Sequence, residues 1–210
     1  MRNYLKKITL KKRVTHSKLI ILVTGTPGIG KTEVSRTLAS MLNAKHIDLG
    51  ELVKHENLIS GVDEVRRTLI VDINKVSKRL DNIIKETNQD VVIDGHYAVD
   101  VVPPKEVELV LVLRRDPDEL QGLMENKGFR ERELYENLAA EILDVCLWNA
   151  VKVCGLNKVC EIDASGKGVR EVAEHTISVL SGERQRQVGI VDWLGKLDKE
   201  GRLQHFFKNL

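Results

Sequence analysis

The apolar residues of this chain occur in two patterns that alternate along its length. Short continuous runs predict strands buried on both faces, and they lie at residues 19–23, 91–94 and 108–113. Two less apolar stretches, 45–49 and 158–162, predict further strands. Spacings of three and four residues predict amphipathic helices at 31–43, 71–87, 133–153 and 168–180. Because strands alternate with helices, we expect an α/β fold with a parallel sheet.

Three shorter signals lie between these elements. Residues 49–71 are polar and contain Gly50 and Gly61, so we expect short helices and loops there. Asp116 followed by Pro117 is typical of a helix start, with Asp as the N-cap and Pro at the first helical position. Residues 126–132 form a charged break around Gly128.

The two ends of the chain differ from its centre, and three regions are expected: a basic N-terminal tail (1–18), a central domain (19–181) and a helical C-terminal extension (182–210). The tail holds seven Lys or Arg and no acid. It is either a solvated tail or an arm for RNA or an acidic protein surface. The extension carries Trp193, Phe206 and Phe207. It is either one or two helices docked on the core or a surface that binds a partner.

Composition excludes several classes of protein. The chain has 210 residues, of which 42% are hydrophobic and 30% charged, which is ordinary for a soluble domain. The net charge of +2 implies no strongly charged partner. No apolar run approaches the length of a membrane span. Cys146, Cys154 and Cys160 lack metal-ligand spacing, so we expect reduced thiols in a cytoplasmic protein that does not contact a membrane.

The strongest chemical signal is the loop that follows the first strand. Gly25-Thr26-Pro27-Gly28-Ile29-Gly30-Lys31-Thr32 matches the pattern G-x-x-x-x-G-K-[ST]. Glycines let the backbone wrap a phosphate with its N–H groups pointing inward, and the following helix N-terminus favours an anion. Lys31 is suited to reach the β- and γ-phosphates, and the Thr32 hydroxyl is suited to ligate Mg²⁺. The loop therefore predicts binding of ATP with Mg²⁺.

A carboxylate is also expected near the metal, at the end of a neighbouring strand. Asp94 ends the apolar strand at 91–93, and ligands of open α/β sheets bind at the carboxyl ends of strands. We interpret Asp94 as the acid that orients Mg²⁺ or its waters. His96 follows two residues later and either positions a water or phosphate oxygen or is an exposed loop residue.

The remaining sequence narrows the class of P-loop protein. Residues 157–160 are a near match to the guanine-binding signature N-K-x-D but end in Cys160, which disfavours a GTPase. The chain is also short for a motor or transporter ATPase. Small-molecule kinases remain.

Several motifs together resemble one kinase family, adenylate kinase isoenzyme 6, also called Fap7 or CINAP. The resemblance covers roughly residues 19–180. Besides the phosphate loop, the motifs that carry it are Ile93-Asp94-Gly95-His96, Leu113-Arg114-Arg115-Asp116, Asn126-Lys127-Gly128-Phe129, Leu134-Tyr135-Glu136-Asn137 and Glu141-Ile142.

The resemblance implies an adenylate-kinase-like P-loop NTPase fold with a five-stranded parallel sheet flanked by helices. It implies a nucleoside-monophosphate side at about 48–72 and a short lid at about 126–136. The implied activity transfers the ATP γ-phosphate to AMP, another nucleoside monophosphate, or water. The implied setting is late maturation of the small ribosomal subunit, with ribosomal protein uS11 of the pre-ribosomal small subunit as a partner.

The expected site residues follow from the loop, the strand ends and the resemblance. Contacts with ATP are expected from Gly25, Gly28, Ile29, Gly30, Lys31, Thr32, Glu33 and Lys127. Metal contacts are expected from Thr32 and Asp94, and catalytic roles from Lys31, Asp94, His96 and Lys127. Cations expected to close over the phosphates are Arg114, Arg115, Lys127, Arg130 and Arg132.

Two departures from the family bear on the acceptor. The lid has Lys127-Gly128-Phe129 where the family has Arg-Gly-Tyr, and Lys54 stands where the family offers an Arg. Lysine keeps the charge but loses the planar fork that binds phosphate through two hydrogen bonds. Three functions are open: an adenylate kinase, an ATP-switched assembly factor with incidental kinase activity, which the basic tail and the apolar C-terminal stretch favour, and a kinase for a metabolite such as shikimate or gluconate.

Overall fold

A five-stranded parallel sheet forms the centre of the protein. The computed structural model describes residues 18–64 and 68–207, so most of the basic tail lies outside the described residues. The strands of the central sheet are β1 (Ile20–Thr24), β2 (Lys45–Asp48), β5 (Val91–Asp94), β6 (Leu109–Arg114) and β7 (Val159–Asp163). Their order is β2-β5-β1-β6-β7, and every neighbouring pair is parallel. The expected α/β fold class is confirmed.

Helices cover both faces of this sheet. They are α1 (Lys31–Leu42), α2 (Leu49–Glu56), α3 (Ile73–Glu86), α4 (Ala98–Val101), α5 (Pro117–Asn126), α6 (Glu131–Ile142), α7 (Val145–Cys154), α8 (Val169–Leu180), α9 (Trp193–Lys199) and α10 (Leu203–Phe207). One apolar core joins the sheet to α1, α5, α6 and α8, and a second joins its other face to α2, α3, α4 and α7. Because the strands are buried on both faces, they are continuous apolar runs in the sequence.

The C-terminal helices pack onto the first of these cores. Trp193 and Leu197 of α9 and Phe206 of α10 are buried in the cluster that contains α6. The segment before them hydrogen-bonds to the outer strand, where the Glu161 amide donates to the Gln187 carbonyl at 2.8 Å. The apolar face of the extension therefore contributes to the core of the same domain.

The predicted long helix at 133–153 is wrong, because two helices occupy this region. Helix α6 ends at Ile142, and α7 begins at Val145 after a left-handed Asp144 with φ of 58°. The Arg114 guanidinium binds the Asp144 carboxylate and donates to the Glu141 carbonyl at 2.8 Å. This cation from the end of β6 satisfies groups at the helix end, so the chain turns although helical periodicity continues on both sides.

The expectation of only short helices and loops at 49–71 is also wrong in part. Helix α2 is followed by an antiparallel hairpin of β3 (Ile59–Asp63) and β4 (Thr68–Val71). Each strand is four or five residues long, and β3 contains Gly61, so the period-two signal is weak. Val62, Leu69 and Ile70 are exposed on this hairpin.

A buried ionic cluster joins the edge of the sheet to α6. Arg114 is 1% exposed and lies between Glu141 and Glu161, which are 2% and 1% exposed. Its Nε donates to Glu141 Oε1 at 2.9 Å, and a terminal nitrogen donates to Glu161 Oε1 at 2.7 Å. The expectation that Arg114 closes over bound phosphates is therefore wrong, because its guanidinium is occupied inside the fold.

Arg114→Met should lower the free energy of unfolding by about 3–5 kcal/mol, because it leaves buried carboxylates without their cation. Chemical denaturation of the purified variant measures this. Arg132→Met is the matched control, since Arg132 forms an exposed i, i+4 pair with Glu136. The control should change stability by less than about 0.5 kcal/mol. Equal effects of the two substitutions would contradict the structural role given to Arg114.

Candidate active site

The loop between β1 and α1 has the backbone geometry of a phosphate-binding turn. Gly25, Gly28 and Gly30 have φ values of 140°, 85° and 103°, which residues with side chains rarely adopt. A Cβ on Gly25 would lie 2.7 Å from the Leu113 carbonyl oxygen, and one on Gly28 would lie 2.6 Å from Met124 Cγ. Conformation thus favours glycine at all three positions, and the close approach of β6 and α5 adds a steric reason at Gly25 and Gly28.

The first turn of α1 presents amide groups at the end of this loop. The Val34 amide donates to the Gly30 carbonyl, so the amides of Lys31, Thr32 and Glu33 precede the first intrahelical bond. No side chain caps this end of α1 within the described part of the chain. Such a helix N-terminus favours an anion through its amides and its partial positive charge.

Lys31 is folded against the loop that it follows. Its Nζ donates to the carbonyls of Gly25 at 2.9 Å and Thr26 at 3.0 Å. Burial lowers the pKa of Lys31 from its ordinary value, while the nearby carboxylates of Asp94 and Glu141 favour the charged form. The ammonium therefore lies against the backbone of the loop.

Ile29 and Glu33, two of the other expected ATP contacts, have different surroundings. The Ile29 side chain is fully buried in the core, so Ile29 can offer ATP only its backbone. Glu33 lies in the first turn of α1 and is exposed, with its carboxylate near Gly30.

Two carboxylates lie side by side at the carboxyl end of the sheet. Asp48 and Asp94 are register partners in the parallel strands β2 and β5. The Thr32 hydroxyl donates to Asp48 Oδ2 at 3.3 Å, and His46 Nε2 lies 3.1 Å from Asp94 Oδ1. Because His46 and Asp48 are two residues apart in a strand, their side chains lie on the same face.

His46 and Asp48 belong to the candidate site although the sequence analysis does not predict them as site residues. The signal for Asp48 was present, since it ends β2 as Asp94 ends β5, and ligands meet such sheets at strand ends. Asp48 is also the N-cap of α2, where its Oδ1 accepts the Glu51 amide at 3.0 Å. Nothing in the local sequence marks His46, because its contact with Asp94 depends on the pairing of β2 with β5.

His96 lies at the rim of the site with part of its surface exposed. Its carbonyl accepts the Thr24 hydroxyl at 3.2 Å, and its ring meets Tyr97 edge to face. Desolvation and the positive charge of Lys31 lower the pKa of His96 from 6.5 to about 4. At neutral pH the imidazole is therefore uncharged and offers one donor and one acceptor.

Besides Arg114, four cations are expected to close over the phosphates, and of these Lys127 contacts the phosphate loop. It follows α5, and its Nζ donates to the Gly28 carbonyl at 3.2 Å. Arg115 pairs with Glu119, while Arg130 donates to nearby backbone carbonyls and Arg132 pairs with Glu136. The structure thus brings Lys127 to the loop and gives these three arginines partners within their own helices and turns.

The oxygens at this edge suit a magnesium ion that is held partly by a nucleotide. Thr32, Asp48 and Asp94 supply hydroxyl and carboxylate oxygens, which Mg²⁺ prefers. Across the described residues, no group of three or more His, Cys, Asp or Glu side chains is arranged to hold a metal by itself. Mg²⁺ in nucleotide sites takes one or two protein ligands together with phosphates and waters, so this donor set fits it.

Sequence comparison places the chain in a family. A family model described as an AAA domain matches residues 21–144. A protein of Methanocaldococcus jannaschii is 34% identical over 84% of this chain and 93% of its own length, and one of Methanosarcina barkeri is 36% identical over 84% and 98%. Both carry the name "Putative adenylate kinase". The chain belongs to this archaeal adenylate-kinase-like family.

Solved structures agree on the fold of the family member described here. A shikimate kinase from Acinetobacter baumannii superposes with a TM-score of 0.58 at 13% identity, covering 83% of this chain and 99% of that one. A tunicamycin resistance protein from Deinococcus radiodurans superposes with a TM-score of 0.52 at 15% identity, covering 79% of this chain and 96% of that one. At these identities the likeness concerns the fold alone. No helix within residues 18–64 and 68–207 is long and apolar enough to cross a membrane.

NMR titration of the His96 ring should give a midpoint near pH 4, and Lys31→Met should raise it, because a charge that opposes the imidazolium is removed. His175 serves as the internal control. The pKa of His175 is lowered by burial and by the positive charges of Arg184 and Lys167. Its titration midpoint should therefore be the same in the wild type and in Lys31→Met. A His96 midpoint near 6.5 in both proteins would place the ring away from the Lys31 ammonium.

Proposed function

We propose that this protein is an ATP- and Mg²⁺-dependent nucleoside-monophosphate kinase whose favoured acceptor is AMP, with hydrolysis of ATP as a side reaction. The observation that carries this proposal is the junction of β1 and α1. There, three glycines, the free amides of a helix start and the Lys31 ammonium surround the space a phosphate chain would take. The names of the archaeal relatives support the choice of acceptor.

In this proposal the chain binds and orients the phosphates, and its charges stabilise the transition state. The amides of Lys31, Thr32 and Glu33 hold phosphate oxygens, and Lys31 stabilises the charge that develops on the transferred group. Thr32 and Asp94, joined by Asp48, would hold Mg²⁺, which neutralises charge on the β- and γ-phosphates. His46 fixes the orientation of Asp94, and neutral His96 can orient the acceptor or a water by hydrogen bonding.

The acceptor side is formed by α2 and its neighbours. Arg36 of α1 lies 3.5 Å from Glu51, and Arg79 of α3 pairs with Glu56 at 2.7 Å. Both arginines are partly exposed and held by acids of α2. A monophosphate is more highly charged than a single carboxylate, so it can compete for these guanidinium groups. This is the basis for proposing a phosphorylated acceptor in place of a metabolite that carries only a carboxylate.

Lid closure over the phosphates is assigned to the turn after α5. Gly128 has a positive φ of 89°, and the turn is short, which suits a hinge at this point. Lys127 would move from the Gly28 carbonyl to a phosphate oxygen. Incomplete closure would leave water as a competing acceptor, which accounts for the proposed ATPase activity.

A second candidate is an ATP-switched assembly factor that acts in small ribosomal subunit maturation and binds uS11. The hairpin of β3 and β4 favours it, because Val62 and its cross-strand partner Leu69 are both exposed within the expected acceptor side. Such an apolar patch suits a protein partner. The proposed contact of the basic tail with RNA concerns residues that lie outside the described part of the chain.

The acceptor assay separates these functions. ADP formed from ATP and AMP is compared with phosphate released when AMP is omitted. We predict that AMP stimulates ATP consumption and that ADP forms at two per ATP, whereas shikimate and gluconate have no effect. Phosphate release equal to the total turnover, with no stimulation by AMP, would eliminate the kinase and favour the assembly factor. Stimulation by a metabolite alone would assign a metabolite kinase.

Lys31→Met should lower the rate of phosphoryl transfer about a hundredfold or more, because it removes a cation aimed at developing charge. The variant should fold normally, since Lys31 bonds to loop carbonyls and not to the apolar core. Steady-state turnover and thermal unfolding are measured together. Lys85→Met is the matched control, because Lys85 is exposed and pairs with Asp81 on α3. Unchanged turnover in Lys31→Met would refute the site.

A further inference from the structure

The Glu141 carboxylate links the phosphate loop to the C-terminal part of the chain. One oxygen, Oε2, accepts the hydroxyl of Thr26 in the loop at 2.6 Å. The other, Oε1, accepts the indole N–H of Trp193 at 3.3 Å and the backbone amide of Arg115 at 3.1 Å, beside its bond with Arg114. Thr26 is fully buried and Trp193 nearly so. A single buried carboxylate therefore contacts the loop on one side and α9 on the other.

A second buried carboxylate holds the chain just before α9. Glu161 Oε2 accepts the amides of Gly189 and Ile190 at 2.5 and 2.9 Å. Arg114 binds the other oxygen of Glu161 and also Glu141, so the two carboxylates share one cation. The position of residues 187–193 is thus tied to the same ionic cluster that holds Thr26.

The helices that follow hold α5, which contacts the loop from another direction. Lys196 of α9 pairs with Asp116 at 2.5 Å, and Arg202 pairs with Asp118. Asp116 and Asp118 lie at the start of α5. The far end of α5 carries Met124 against Gly28, and Lys127 follows with its ammonium on the Gly28 carbonyl. The C-terminal segment therefore supports both sides of the loop.

We propose that Glu141 is a positioning residue for the phosphate loop, and that the docked C-terminal segment, residues 187–207, sets the affinity for nucleotide through it. The proposal rests on the proposed function, because the loop must bind nucleotide for its position to matter. Holding Thr26 in place before binding reduces the cost of ordering the loop around a phosphate. When Trp193 loses its bond, Glu141 is held less firmly and Thr26 is less fixed.

Two substitutions remove the hydrogen bonds on either side of Glu141, and the first of them keeps the side-chain volume nearly constant. Thr26→Val removes the hydroxyl, and Thr26→Ser restores it. Trp193→Phe removes the indole N–H but keeps an aromatic ring in the core. Trp148→Phe is the matched control, because Trp148 is 70% exposed on α7. Calorimetry with Mg²⁺–ATP gives the Kd, and steady-state kinetics give KM and kcat separately.

Thr26→Val and Trp193→Phe should each raise the Kd and KM for ATP by about fivefold, the effect of one hydrogen bond, with kcat changed less than KM. Thr26→Ser and Trp148→Phe should match the wild type. The Kd of the double variant should exceed the higher of the two single-variant Kd values by no more than about twofold, because both changes act through Glu141.

Fluorescence supplies a test in the reverse direction. Trp148 and Trp193 are the two tryptophans of the chain, so Trp148→Phe leaves Trp193 as the single emitter. If Trp193 affects the phosphate loop through Glu141, nucleotide bound at the loop should in turn affect the surroundings of Trp193, because coupling is reciprocal. Trp193 emission should therefore change as Mg²⁺–ATP is added, and the titration should give the same Kd as calorimetry. Thr26→Val in this background should remove the change even when nucleotide saturates the site.

Each outcome decides the proposal. It is overturned by a Trp193→Phe variant that binds ATP as the wild type does, by single effects that multiply in the double variant, or by Trp193 emission that ignores bound nucleotide. If the wild type itself takes up no Mg²⁺–ATP, the proposed function fails first. If the wild type binds and the variants bind equally well, the proposed function stands and only the role of Glu141 and the segment is refuted.

Discussion

Arg114 is an arginine at the end of a central strand, and its guanidinium is enclosed by acids from three different elements. Glu141 comes from α6, Glu161 from β7, and Asp144 from the turn between α6 and α7. A buried cation of this kind is stable only when its partners are in place, because an unpaired charge in the interior is costly. This cluster therefore fixes the relative positions of β6, β7, α6 and α7 at the carboxyl end of the sheet, where the phosphate loop lies.

The chemistry of the candidate site follows from this arrangement. The loop lies between β1 and α1, with β6 beneath Gly25 and α5 against Gly28. Its own carbonyls accept the Lys31 ammonium, while Asp48 and Asp94 provide negative charge on the adjoining strands. Positive groups that favour a polyphosphate thus stand beside oxygens that favour a divalent cation. This separation of charge is what binding of a magnesium–nucleotide complex requires.

Much of the fold and the centre of the site could be predicted from local sequence. The runs at 19–23 and 91–94 identify buried strands because both faces of the sheet are covered, and the loop pattern fixes the backbone at one strand end. What failed depended on distant residues. The break at Asp144 is caused by Arg114, which lies 30 positions away, and the partners of Asp94 and Thr32 are set by the pairing of β2 with β5. The hairpin at 59–71 was missed because its strands are short and contain Gly61.

We infer that the amides at the β1–α1 junction hold the phosphates of a nucleotide. Amide chemical shifts of a ¹⁵N-labelled chain, recorded as Mg²⁺–ATP is added, test it most directly. We predict that the largest changes occur at residues 28–33 and saturate at one nucleotide per chain. Loop amides that stay unchanged while nucleotide binds elsewhere, or a spectrum that does not respond to nucleotide at all, would contradict it.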